Sequence, residues 1–177
     1  MAFYEQHIHS VPESFLRRYI FSLDHKVIAK QFLWLGIFFL GVGGIMAIMI
    51  RWALAFPGVP FPLIGKCLFP LTGGVIPPDT YAMLFTLHGT IMIFFAITPI
   101  LIGCFGNYCI PLMIGARDMV FPVANMMSFW LAVLSGALLL SSLFTPLGGA
   151  AGGWTSYPTL STLIGSPGIG QTLWTLS

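Results

Sequence analysis

QFLWLGIFFLGVGGIMAIMI, residues 31–50, lies between Lys30 and Arg51 without a single charged side chain. As a helix, such a run rises about 30 Å, the thickness of a bilayer's hydrocarbon layer. Its glycines, Gly36, Gly41, Gly43 and Gly44, let neighbouring helices come close, as small residues do in membrane bundles. A cleavable signal sequence matches poorly, because the run follows a long polar arm and exceeds the roughly 7–15 apolar residues such sequences use. The same pattern recurs downstream. Thr80 to Ala116 is uncharged, and no Asp, Glu, Lys or Arg occurs from Met119 to Ser177. Only 7% of the 177 residues are charged and 57% are hydrophobic, whereas soluble domains carry about 25% charge. Disorder is excluded by the 15% aromatic content, since disordered chains are poor in aromatics. A nucleic-acid partner is excluded because the net charge of +2 is scattered rather than gathered in a patch. These figures predict an all-α integral membrane protein.

A polar arm, 1–30, precedes three predicted spans at about 32–50, 81–110 and 123–144, and the start of a fourth at about 171. Six prolines, from Pro57 to Pro78, exclude a continuous helix in the loop 51–79. Pro99, inside the second span, predicts a kink. A Gly, Pro, Ser and Thr segment, 145–170, follows the third span. Arg17, Arg18, Lys26, Lys30 and Arg117 fall on one side of the spans, Arg51 and Lys66 on the other. That bias predicts a cytoplasmic N-terminus, with the Pro-rich loop outside. Cys67, Cys104 and Cys109 lack the close spacing of zinc or redox pairs.

Polar groups within hydrocarbon are costly and mark candidate sites. His88 lies about 12 Å from the outer end of the second span. It is either an axial ligand for haem iron or a histidine bonded to a neighbouring helix. A bis-histidine haem needs a second intramembrane histidine, and His7, His9 and His25 all fall in the polar arm. Arg51 reads either as a snorkelling interfacial arginine or as a donor to a polar cofactor substituent. Asn107 is about 28 Å further along the helix than His88, near Asp118 at the inner surface. With Asn125 these form either a proton entrance, in which a carboxylate collects protons and amides order water, or an ordinary capped connector. Trp154, in the turn Gly152 to Pro158 on the outer side, is either an interfacial anchor or a donor to a carboxylate such as a haem propionate.

Read together, Asp24-His25-Lys26, Arg51 with Pro57-Gly58, His88-Gly89 with Met92, Phe105-Gly106-Asn107-Tyr108 and Pro111 to Ala116 form an ordered set. Asp118-Met119 with Phe121-Pro122, Asn125 with Ser128-Phe129-Trp130, and Gly153-Trp154-Thr155 with Tyr157-Pro158 continue it. In order and spacing the chain resembles subunit I of the haem–copper oxygen reductases, most closely the A-type cytochrome c oxidases. The resemblance implies a roughly twelve-helix bundle of which this chain is the N-terminal third. His88 then matches an axial ligand of the low-spin haem, haem a, and Arg51 an arginine on that haem's formyl group. Trp154 matches a tryptophan near the propionates, Asp118 the entry of the D proton pathway, and Asn107 and Asn125 its amides. Implied partners are the remainder of subunit I, subunits II and III, cytochrome c or a quinol as donor, and the lipid bilayer. The high-spin haem and copper B belong to the complete subunit, and this chain carries no copper ligands, so alone it is not expected to reduce oxygen. A bacterial inner membrane is implied before a mitochondrial one. A quinol oxidase, a nitric-oxide reductase or a non-catalytic membrane scaffold are the alternatives. Two departures stand out. Ala53 replaces an acid of the outer metal site, and Met126 replaces an amide near the proton channel.

Overall fold

The computed structural model describes residues 15–146, 148–162, 165–166 and 168–177; the first 14 residues of the polar arm lie outside them. The described residues form an all-helical membrane protein with three helices long and apolar enough to cross a bilayer. These are α1, His25–Ala55; α3, Pro78–Met113; and α4, Pro122–Ser142. A short α2, Gly65–Leu68, lies in the Pro-rich loop, and α5, Gly170–Leu176, ends the chain.

Each predicted span is present, with the first two longer than predicted. Asp24 caps α1, its side chain accepting a hydrogen bond from the Lys26 amide, so the helix begins at His25 rather than near Phe32. The last residues of the predicted arm, 25–30, thus belong to the first helix. An Asp immediately before a helical run satisfies one of the unpaired first-turn amides and sets such a start. α3 runs through Pro111 to Met113, into what reads from sequence as connector. Around Pro99, where the sequence predicts a kink, the helix is π-wound, over Ile91–Ile97 and again over Pro99–Gly106. Proline lacks the amide an α-turn requires, and wider winding is one way a helix accommodates that loss.

α1 packs along the whole of α3 and also against α4. Two buried clusters result. Phe39, Met46, Leu87, Ile91, Phe95 and Leu139 belong to the one nearer the Pro-rich loop. Ile28, Phe32, Cys104, Met126 and Phe129 belong to the other. Close approach depends on glycine at particular crossings. A Cβ on Gly136 would stand 2.5 Å from the Phe39 ring, and one on Gly103 would stand 2.6 Å from the Phe32 ring. Gly41, by contrast, has nothing within 4 Å of that position.

Overpacking a crossing of this kind costs about 1–3 kcal/mol. Gly136→Ala is therefore expected to lower the thermal midpoint of the assembled protein, while Gly41→Ala leaves it unchanged. Equal midpoints for the two variants would contradict the packing described.

Candidate functional site

His88 projects from α3 towards α1, and its Nδ1 lies 2.9 Å from the carbonyl oxygen of Gly43. A carbonyl only accepts, so Nδ1 carries the proton and donates it. In the neutral ring Nε2 is then an unprotonated lone pair. It has no hydrogen-bond partner among the described residues, and it is not among their buried unpartnered atoms. A backbone carbonyl on one ring nitrogen with the other left bare is the arrangement that orients a histidine for a metal. Glycine permits it: a Cβ on Gly43 would meet Met92 Sδ at 2.7 Å, whereas Gly44 and Gly89 border open space.

Arg51 lies two turns beyond Gly43 on α1, about 12 Å along the axis. It is exposed and has no carboxylate within salt-bridge distance among the described residues. It lines an open, apolar groove of about 340 Å³ with Ala47, Ile48 and Trp52. Ala53 packs against the neighbouring core cluster.

The turn that bears Trp154 lies against the side of α3, with the indole itself exposed. The Gly153 amide donates to Thr86 Oγ1 at 2.9 Å, two residues before His88, and draws the Gly-rich segment down alongside α3. The Trp154 ring then lies 6.2 Å from that of Phe94, within the usual range for an aromatic pair. Thr90, one turn after Thr86, accepts from the Trp174 indole at 3.1 Å and so holds α5 to the same face. Both threonine hydroxyls donate in turn to carbonyls one turn earlier. Sequence reading missed this pair, because a threonine one turn from another reads as ordinary helix surface.

Towards the other end of α3 two of the three proton-entry candidates bond directly, and Met119 links the third to them. Asn107 Nδ2 donates to Asn125 Oδ1 at 3.0 Å, and Asn125 Nδ2 to the Met119 sulfur at 3.0 Å. The Met119 amide donates to Asp118 Oδ1 at 2.8 Å. Met126 is buried in the inner core cluster, leaving Asn125 as the amide that meets Asn107.

His25 is the residue that sequence reading misplaced. Assigned to the polar arm, it is only 2% exposed. Its Nδ1 lies 3.1 Å from Asp118 Oδ1, while Nε2 is buried without a partner. Asp24, an N-cap residue directly before an apolar run, was the available signal: it moves the helix start to residue 25 and His25 with it. The start of α1 and the connector after α3 therefore occupy the same end of the bundle.

The family described as "Cytochrome C and Quinol oxidase polypeptide I" matches residues 27–177. The chain belongs to this family. It is 44% identical over 159 residues to cytochrome c oxidase subunit 1 of Thermostichus vulcanus, covering 90% of this chain and 26% of that protein. It is 43% identical over 159 residues to the subunit 1 of Synechocystis sp., covering 90% of this chain and 25% of the relative. Against an "Alternative cytochrome c oxidase subunit 1" of Bradyrhizobium diazoefficiens the identity is 40% over 157 residues, covering 89% of this chain and 24% of the relative. The chain thus spans about a quarter of the length of these relatives. It is a multi-pass membrane protein of an oxidase subunit I family.

Removing the Thr86 hydroxyl leaves the Gly153 amide without its acceptor, at a cost of about 1–3 kcal/mol. In Thr86→Val, amide exchange across residues 149–154 is expected to accelerate roughly tenfold or more while the core of α4 stays protected. Unchanged exchange in that segment would contradict the tether.

Proposed function

We propose that this chain supplies part of the catalytic subunit of a respiratory terminal oxidase, which takes electrons from cytochrome c, reduces oxygen to water and pumps protons. The observation that carries the reading is the His88 ring, its Nδ1 proton fixed by the Gly43 carbonyl and its Nε2 bare. A bare imidazole nitrogen in an apolar bundle is what haem iron takes as an axial ligand. The surroundings fit a haem: open space beside Gly44 and Gly89, and an exposed guanidinium on an apolar groove.

In this reading His88 holds the iron of a low-spin haem, haem a, and Arg51 donates to its formyl oxygen. Trp154 lies towards its propionates. The haem supplies one-electron chemistry when bound; this chain's residues ligate it, polarise its edge and exclude water. Asp118 receives protons at the opposite end of α3, with Asn107 and Asn125 next along the route. Neutral amides suit that position because they order water without trapping the charge. His25 holds Asp118 in place through Nδ1. The high-spin haem, copper B and the second axial histidine belong with the remainder of subunit I, in a complex with subunits II and III. The basic residues near the first helix favour a cytoplasmic N-terminus, in a bacterial inner membrane. A quinol as donor is the second reading, since the family's description spans quinol oxidases as well.

Membranes holding the complete complex are expected to consume oxygen with reduced cytochrome c, and Asp118→Asn to slow turnover or abolish pumping. Oxygen uptake driven only by quinol would replace the donor. Unchanged rate and proton stoichiometry in Asp118→Asn would remove Asp118 from the route.

A further inference from the structure

The connector between α3 and α4 carries a thioether whose direction core packing does not explain. Met119 is half-buried, while Val120 and Phe121 beside it are exposed. Among the described residues it belongs to neither buried cluster. Its sulfur turns instead to the first turn of α4, where Asn125 Nδ2 lies 3.0 Å away. Asn125 does not cap that helix. No side chain among the described residues caps α4, and the Asn125 backbone amide bonds the Phe121 carbonyl. Its carboxamide is engaged by Met119 on one side and Asn107 on the other.

The chemistry of these groups leaves one direction open to them. A thioether sulfur accepts weakly and has no proton to donate, so it takes the amino end of Asn125 and repels the carbonyl end. With Nδ2 turned to Met119, Oδ1 faces Asn107 and can only accept. Asn107 must then offer Nδ2, which it does at 3.0 Å. Half a turn of a carboxamide exchanges its oxygen and nitrogen with almost no change in shape, and if Asn125 reverses, Asn107 has to reverse with it. One sulfur therefore selects between two states of a coupled pair. The backbone of the same residue serves the acid. The Met119 amide donates to Asp118 Oδ1 at 2.8 Å, and His25 Nδ1 lies 3.1 Å from the same oxygen. That contact uses no side chain at 119, so the role of the sulfur is separable from it.

We propose that Met119 is a positioning residue of the proton entrance, its sulfur fixing which way the Asn125 and Asn107 carboxamides point and so which end each presents to passing water. This role rests on Asp118, Asn107 and Asn125 forming the proton route. A reversed amide presents N–H groups where water otherwise donates, and the water must reorder before a proton passes. Held in one orientation, the pair spares each proton that reordering. Met119 itself carries no proton.

The test uses the complete complex, fully reduced and mixed with oxygen, with a pH dye following proton uptake and haem absorbance following electron transfer. Met119→Leu keeps the apolar bulk and the backbone amide but removes the acceptor. One net hydrogen bond is worth roughly fivefold in an equilibrium, so proton uptake is expected to slow by about that factor, with the haem spectrum and thermal midpoint of wild type. Met119→Gln returns an acceptor at similar reach and is expected to restore uptake. Met113→Leu, at the exposed end of α3, leaves uptake unchanged. Wild-type uptake in Met119→Leu overturns the proposal. Equal slowing in Met119→Leu and Met119→Gln also overturns it, because the thioether then acts by its shape. Slowing with a lower midpoint or an altered haem spectrum assigns Met119 to structure and overturns it equally. Asp118→Asn, measured in parallel, separates the two readings. Slowed uptake there with none in Met119→Leu removes Met119 alone, whereas wild-type uptake in Asp118→Asn removes the proton route and the role of Met119 with it.

Discussion

One hydrogen bond between two membrane helices organises much of the rest. The Gly43 carbonyl already serves the backbone of α1, and its second lone pair accepts the proton of His88 Nδ1. Glycine at 43 leaves room for the approach; a Cβ there would press on the Met92 side chain. It sets the register of α1 on α3 and the tautomer of His88. The aromatic and aliphatic core on the same side, Phe39, Leu87, Ile91 and Phe95, packs in that register. A second contact, His25 with Asp118, ties the same two parts of the chain at the opposite end. Between these two contacts the middle of α3 is π-wound.

That winding separates two chemistries on a single helix. Near the Pro-rich loop lie an imidazole with a free nitrogen, a guanidinium over an apolar groove, and a tryptophan brought in by the Gly153 to Thr86 bond. Towards the other end of the helix lie a carboxylate, a buried histidine and two bonded amides. Groups of the first kind suit a large apolar cofactor; those of the second suit water and protons. Charge avoidance in hydrocarbon explains the gap between them, because the intervening stretch, Gly89 to Gly106, is uncharged.

The three helices were legible in the sequence because the bilayer imposes a strict length and forbids charge, and both leave plain marks on a linear string. His88, Asp118, Asn107 and Asn125 stood out for the same reason, as polar groups in or beside apolar runs. Their partners did not. Gly43 and His88 are 45 residues apart, and His25 and Asp118 are 93 apart; no local pattern announces such pairings. His25 was hidden by its charged neighbours, although the Asp24 cap marked the helix start. The position of Trp154 beside α3 was illegible because it is set by one hydroxyl on another helix. Gly-rich segments carry no periodicity from which to read a position.

We propose that His88, aligned by the Gly43 carbonyl, presents Nε2 to haem iron. The most direct test is the reduced-minus-oxidised spectrum of the complete complex carrying His88→Gly, recorded with and without added imidazole. Loss of the low-spin haem band, restored by imidazole filling the vacated space, is the predicted result. A low-spin band that survives His88→Gly intact would contradict the account.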